Sequence, residues 1–217
     1  YKTEEDTIKA YTEFFLKLPV DGLLLISSQA NGKFRKLPKY RKVYETRVSD
    51  DDAVLKQMVQ EKIAVPGEYN VRNAMAAVLA AESIGIPREK ALVSLKKFTG
   101  LKRRFEFIAK AGGTLIYDDY AHHPHEIESL LSAARQEFPD KKIRFVFQPH
   151  TFSRTKVFFD QFVDSLKDVD EVILDPIFAS AREAVDSEIS SEMLAKRINE
   201  KGGKAVFIAN RQKLVEY

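Results

Sequence analysis

The sequence contains no cysteine and no tryptophan among its 217 residues. Without thiols, the chain offers no disulfide scaffold, no thiolate zinc site and no cysteine nucleophile. Long apolar runs are also missing. The longest candidate, residues 22–26, has the length of a strand, whereas a membrane-spanning helix needs about 20 apolar residues. The opening residues lack the basic and then apolar pattern of a secretory signal, so we expect a soluble, cytoplasmic protein without a membrane partner.

A strong excess of charge is missing too. The chain has 35 basic and 32 acidic residues, a net charge of +3, which provides little attraction for nucleic acid. The densest basic segment, residues 33–42, interleaves lysine and arginine with aromatic residues, a pattern also found in nucleic-acid binders. A solvated hairpin is the simpler interpretation of this segment. We therefore predict no nucleic-acid partner.

The first hundred residues predict helices mixed with short strands. Thr3 is a plausible helix N-cap, and Asn31-Gly32 is a strong two-residue hairpin signal. Residues 50–62 fit either a helix or a strand, and the break at residues 98–100 suggests a domain boundary. The predicted helices cover residues 4–17, 70–84 and a segment starting at Pro87, and the predicted strands cover residues 22–27, 34–37 and 43–48.

After residue 100 the predicted elements alternate regularly. Two strands meet in a hairpin at Gly112-Gly113, and helices then alternate with strands, which indicates a three-layer α/β domain with a mostly parallel sheet. The predicted strands cover residues 104–110, 113–118, 142–147, 170–174 and 204–208, and the predicted helices cover residues 124–137, 155–167 and 190–201.

Polar side chains concentrate in the loops that follow three of these strands. Ligands bind beyond the carboxyl ends of the strands in open parallel sheets, so the loops at residues 118–125, 148–155 and 175–183 are the place to look. All four histidines of the chain lie in the first two loops. This clustering is the most informative feature of the residue pattern.

The pattern alone leaves three interpretations of these loops open. Carboxylate and imidazole groups suit many divalent metals, so a metal-dependent hydrolase is one. Arginines favour an anionic or nucleotide ligand, because guanidinium pairs bidentately with carboxylate and phosphate. Simple capping of the following helix is the third. The metal hypothesis uses His122, His123, His125 and His150.

Asn70 and Asn73 lie three residues apart at a predicted helix start and therefore share a face. On spacing alone, Asn70 is most simply an N-cap, although two amides on one face can also form hydrogen bonds with the edge of a nucleotide base. Arg104 belongs to a basic turn just after the predicted boundary, which is either solvated or directed at a phosphate.

Four segments occur in the order and spacing of a known family: residues 66–77, 103–106, 118–124 and 147–155. With these segments the chain resembles the Mur ligases of peptidoglycan synthesis, closely over residues 63–210 and loosely over residues 1–62. The resemblance implies that residues 1–99 are the C-terminal part of a central ATP-binding domain. It implies that residues 100–217 are a slightly truncated Rossmann-like C-terminal domain, a mostly parallel sheet with helices on both faces.

The resemblance implies an ATP-dependent ligase that joins L-alanine to UDP-N-acetylmuramate through an acyl phosphate. A murein-peptide recycling ligase of the same family is the alternative. The family's phosphate loop, Gly-x-x-x-x-Gly-Lys-Ser/Thr, is absent from this sequence. The ligands for the family's Mg²⁺ are expected upstream, so we expect this chain to be a fragment that is inactive alone.

The family pattern also implies roles for individual residues. Asn70 and Asn73 face the adenine, Asp119 accepts from the ribose hydroxyls, and Arg104 is a catalytic residue that reaches the ATP phosphates. On the amino-acid side, His122 is catalytic and binds substrate together with Tyr120, His150 and Arg154, with Arg154 pairing with the alanine carboxylate.

Overall fold

The computed structural model describes residues 3–19, 22, 24–26, 34, 43–44, 52–181 and 183–216. The chain divides into two compact units, Tyr1–Gly100 and Leu101–Tyr217. The Asn31-Gly32 turn, residues 35–42 of the basic segment and Arg182 lie outside the described residues.

The described residues of the first unit form mainly helices. Thr3 caps the first helix and forms a reciprocal capping box with Asp6, as the sequence predicts for its N-cap. Residues 53–60, within the segment 50–62 that fits either state, form a helix. The elements of this unit are α1 (Glu4–Phe15), β1 (Leu24–Leu25), β2 (Val43–Tyr44), α2 (Ala53–Gln60), α3 (Glu68–Ser83) and α4 (Arg88–Leu95).

Helices α2, α3 and α4 share one apolar core. Leu55, Met75 and Leu92 are buried where the three helices meet. The strands β1 and β2 pair in parallel, with Leu24 opposite Val43. The hairpin predicted between residues 22–27 and residues 34–37 lies largely outside the described residues and stays a prediction. A local turn signal identifies only partners that are close in the chain, whereas the β1–β2 pairing joins residues that are about twenty positions apart.

The strands of the second unit form two sheets. β3 (Glu106–Ala111) and β4 (Thr114–Asp118) are an antiparallel hairpin that turns at Gly112-Gly113, as predicted. β5 (Arg144–Phe147), β6 (Glu171–Leu174) and β7 (Ala205–Phe207) are parallel, with β6 in the centre. The parallel sheet confirms the α/β fold that the alternation of elements predicts.

The helices of this unit supply most of its apolar core. They are α5 (Pro124–Glu137), α6 (Phe152–Val157), α7 (Phe159–Leu166), α8 (Ser191–Glu200) and α9 (Arg211–Glu216). α5 packs on α7, α7 packs on α8, and α8 packs on β6 and β7. Phe162, Leu166, Leu194 and Ile198 are completely buried in this core.

One helix of the second unit is broken where the sequence predicts continuity. The apolar spacing of residues 155–167 indicates a single helix, but the structure separates α6 from α7 at Phe158. Phe158 has φ −106° and ψ 21°, which is outside the helical region. The break gives the short helix α6 its own direction after the second loop. Among the described residues, no helix has the length and apolar character required to cross a bilayer.

Candidate functional site

The first loop starts with Asp119, which binds the backbone on both sides of the hairpin. One carboxylate oxygen accepts from the Phe105 N–H at 2.7 Å, and the other accepts from the Ala121 N–H at 2.7 Å. Burial raises the pKa of the Asp119 carboxyl, although these two N–H groups and the nearby Arg104 oppose the shift. Since a carboxylate has about four acceptor positions, Asp119 retains the capacity to accept from a ligand hydroxyl.

The segment that Asp119 holds has an unusual backbone. Arg103 and Phe105 have φ values of 58° and 50°, in the left-handed region that side chains other than glycine rarely adopt. The Arg103 carbonyl accepts from the Tyr120 N–H at 2.9 Å, and its guanidinium lies 4.4 Å above the Tyr120 ring. The turn that carries Arg103 and Arg104 is therefore fixed against the first loop.

His122 is oriented by acceptors on one side of its ring. Its Nδ1 lies 2.8 Å from the Tyr120 carbonyl oxygen and 3.4 Å from Glu126 Oε2. Glu126 also accepts from the backbone N–H groups of His122 and His123. Burial acts to raise the pKa of Glu126, but these N–H groups and the His122 ring outweigh it, so the pKa is lowered.

The second loop brings His150 and Arg154 together at the start of α6. Arg154 Nη1 lies 3.4 Å from His150 Nδ1, and the His150 ring stacks on Phe178 with 5.2 Å between centroids. Between them, Thr151 has φ 70°, another left-handed value at a residue other than glycine. Its hydroxyl caps α6 by accepting from the Arg154 N–H.

The neighbours of the two rings assign opposite tautomers. His122 Nδ1 faces a carbonyl and a carboxylate, which only accept, so in the neutral form of this ring the proton lies on Nδ1 and the lone pair on Nε2. His150 Nδ1 faces a guanidinium, which only donates, so its proton lies on Nε2. The ring centroids are 6.0 Å apart. The two loops therefore present one hydrogen-bond acceptor and one donor as neighbours.

Two of the histidines favour the neutral state. Burial, followed by the positive charge of Arg154, lowers the pKa of His150. Burial also lowers the pKa of His123, whose ring packs against Phe158 at 4.5 Å, although Glu126 opposes this shift. Neutral imidazoles keep the lone pairs that proton transfer and amine recognition require.

A large cleft opens beside these loops. Its volume is about 1430 Å³, and its lining includes Asp119, Tyr120, His122 and His150. The structure brings Tyr120, His122 and His150 together along this cleft, and Arg154 contacts His150. Arg104 is exposed nearby and acts electrostatically on both Asp119 and Glu126.

Asn70 and Asn73 lie on α3 of the first unit. The N-cap of this helix is Gly67, so the spacing-based assignment of Asn70 as the cap is wrong. The Asn70 amide instead donates to the Pro66 carbonyl at 2.6 Å. Asn73 is exposed on the same helix.

Sequence reasoning missed two carboxylates that organise the loops. Glu126 stands three residues after His123, the N-cap of α5, which is the spacing of a capping box and was a readable signal. Glu183 accepts from the backbone N–H groups of Phe152 and Ser153, both at 2.7 Å. Thirty residues separate these partners, and no local pattern predicts the contact.

The four histidines do not converge as a metal site requires. His125 is largely exposed and faces Glu128, and His123 packs on an aromatic ring. Within the described ranges, no three histidine or carboxylate side chains are grouped so that they can hold a metal ion. The geometry does not favour the metal-dependent hydrolase, and these residues do not fit a Mg²⁺ site.

Comparison with known proteins decides the family. Residues 103–217 match the sequence model described as Mur ligase, glutamate ligase domain. The chain belongs to the Mur ligase family. The chain is 38% identical to the UDP-N-acetylmuramate–L-alanine ligase of Desulfitobacterium hafniense. The match covers the whole of this chain and 52% of that protein. The corresponding ligase of Lactobacillus delbrueckii subsp. bulgaricus is 44% identical over 70% of the chain and 34% of that protein.

A solved Mur ligase supports the same assignment. The crystal structure of the UDP-N-acetylmuramate-alanine ligase from Thermotoga maritima superposes with a TM-score of 0.57 at 30% identity, covering 70% of this chain and 32% of that chain. The chain spans about half the length of the Desulfitobacterium relative that it matches.

Proposed function

We propose that this Mur ligase chain is part of an ATP-dependent enzyme that joins L-alanine to the lactyl carboxylate of UDP-N-acetylmuramate. Relatives with 38% and 44% identity are named UDP-N-acetylmuramate–L-alanine ligase. The observation that carries the proposal is the meeting of His122, His150 and Arg154, which presents a fixed acceptor, a fixed donor and a cation side by side. A small zwitterion that contains an amine and a carboxylate matches this set of groups.

In this proposal each group has a task in amide formation. The Arg154 guanidinium and the His150 Nε2–H bind the carboxylate of the amino acid, because both are donors. The His122 Nε2 lone pair accepts a proton from the amine, so that the free amine attacks the acyl phosphate. Tyr120 lines the pocket beside His122. Arg104 stabilises the negative charge that develops on the phosphate and the tetrahedral oxygen.

The proposal also gives roles in nucleotide binding to residues of each unit. Residues 1–99 are the C-terminal part of the ATP-binding domain, in which Asn70 and Asn73 face the adenine. Residues 100–217 are the ligase domain, in which Asp119 accepts from the ribose hydroxyls through the positions that its backbone partners leave open. Mg²⁺ supplies charge neutralisation for phosphoryl transfer, and its ligands come from outside the described residues of this chain.

The test is a chimaera in which this chain replaces its matching region in the Desulfitobacterium ligase. We expect formation of UDP-N-acetylmuramoyl-L-alanine that requires ATP, with the product identified by mass spectrometry. A murein tripeptide offered in place of L-alanine distinguishes the recycling ligase. A folded chimaera that ligates the tripeptide but not L-alanine contradicts the proposal.

A further inference from the structure

The third loop and the segment that follows it, described over residues 175–181 and 183–190, lie along the second loop and bond to it. Phe178 and His150 form an isolated parallel bridge, the Phe178 N–H donates to the Pro149 carbonyl at 2.8 Å, and the Thr151 N–H donates to the Phe178 carbonyl at 2.9 Å. Together with the stacked rings of His150 and Phe178, these bonds fix the backbone up to Thr151. They do not reach the first turn of α6.

Glu183 holds the first turn of α6. Its two carboxylate oxygens accept from the N–H groups of Phe152 and Ser153, the first two helical residues, which have no partner within the helix. A further hydrogen bond from the Ser153 hydroxyl and these two N–H groups lower the pKa of Glu183, so the carboxylate stays charged at neutral pH. This contact follows directly after the strained residue.

The backbone conformation of Thr151 needs contacts from neighbouring residues to be stable. It is β-branched and has φ 70°, a conformation that persists only when the surrounding structure determines it. The Phe178 carbonyl holds the N–H of Thr151, and Glu183 holds the two residues that follow. The direction in which α6 leaves the loop, and with it the place of Arg154, depends on both contacts.

We propose that Glu183 is a positioning residue of the amino-acid site, which acts by holding Arg154 against His150. The proposal rests on the proposed function for the identity of the site, but its geometry does not depend on the ligand. Two acceptor oxygens are essential, because the amide of a glutamine would turn an N–H₂ group toward a backbone N–H. An aspartate keeps both oxygens but is one methylene shorter.

The experiment measures the imidazole ¹⁵N chemical shifts of the ligand-free 217-residue chain. The sequence has only four histidines, so each ring can be assigned. R154A removes the donor at His150 Nδ1 and sets the reference change. We expect E183Q to reproduce at least half of this change at His150, with the shifts of His122 unchanged. The double variant E183Q/R154A should differ little from R154A, since positioning acts through Arg154, and E183D keeps the charge that acts directly on the His150 ring.

E192Q is the matched control. Glu192 is an exposed carboxylate in the first turn of α8, away from the contacts described for α6. If E183Q loses the native shifts of His122 and His125, E183D replaces it and should move His150 in the same direction. A His150 ring that is unchanged in E183Q or E183D, or changes that simply add to those of R154A, would overturn the proposal. None of these results depends on whether the enzyme uses L-alanine.

Discussion

At the scale of single residues, Asp119 is a structural anchor as well as a candidate ligand for ribose. Its carboxylate accepts from Phe105, which has positive φ, and from Ala121 in the first loop. Asp119→Asn leaves one oxygen and turns an N–H₂ group toward a backbone donor. We expect the free energy of unfolding at pH 7 to fall by about 1–3 kcal/mol, the usual cost of an unsatisfied buried group. Urea unfolding measures this change.

The control for this prediction is Asp140→Asn in the exposed turn after α5. It should change the free energy of unfolding by less than about 0.5 kcal/mol, as is usual for surface positions. Equal effects of the two substitutions would show that Asp119 is not an anchor.

The lowered pKa values of His123 and His150 predict a dependence of stability on pH. The unfolded chain binds protons at these rings near pH 6.5, whereas the folded chain binds them only at lower pH. Their contribution is therefore present above pH 6.5 and is lost as the pH falls through the folded pKa values. We expect the free energy of unfolding to decrease between pH 7.5 and pH 5.5.

The double variant H123Q/H150Q isolates this effect. Asp119, whose raised pKa gives the opposite slope above pH 3.8, is present in both proteins, and Glu126 and Glu183 titrate below pH 4.5. The variant should show a flatter pH profile in urea unfolding between pH 5.5 and pH 7.5. A profile as steep as that of the unmodified chain would show that His123 and His150 do not cause the pH dependence of stability.

At the scale of elements, the start of α5 depends on Glu126. Its carboxylate accepts from the N–H groups of His122 and His123, as an N3 acid does in a capping box. Glu126→Ala should lower the free energy of unfolding by about 1 kcal/mol, the typical value of a helix cap. Glu128→Ala, on the exposed side of the same helix, should have little effect in the same measurement, and a larger loss for Glu128 would contradict the capping role.

Two elements of the second unit could be predicted from local signals in the sequence. The bounds of α5 and the hairpin at Gly112-Gly113 follow from Pro124 at the first helical position and from two turn glycines, which are local signals. The break between α6 and α7 and the β1–β2 pairing depend on distant contacts, so periodicity and turn signals did not reveal them.

The residues of the candidate site also differ in whether local sequence patterns predict them. Tyr120, His122, His150 and Arg154 were predicted from the loops that follow strands, although β4 lies in the hairpin and only β5 lies in the parallel sheet. Glu183 was not, because its partners are 30 residues away and its contact is to the backbone. A side chain that binds main-chain groups leaves no complementary residue type for a sequence pattern to detect.

At the scale of the whole molecule, each unit has a core of its own. The buried cluster of the first unit comes from residues 55–92, and that of the second unit comes from residues 127–205. We therefore expect residues 101–217 to fold when produced alone, with the His122 and His150 ¹⁵N shifts of the longer chain. A second unit that is unfolded in isolation would show that it needs the first.

In the proposed function, the second loop binds the amino-acid carboxylate through Arg154. The most direct test is the KM for L-alanine of the chimaeric ligase. Removing a hydrogen-bonded charge of this kind costs roughly 1.5–3 kcal/mol, so R154A should raise this KM about 10- to 100-fold and leave the KM for ATP unchanged. Arg197, an exposed arginine on α8 that pairs with Glu200, supplies the control R197A. An unchanged KM for L-alanine in R154A would contradict the binding of the amino-acid carboxylate by Arg154.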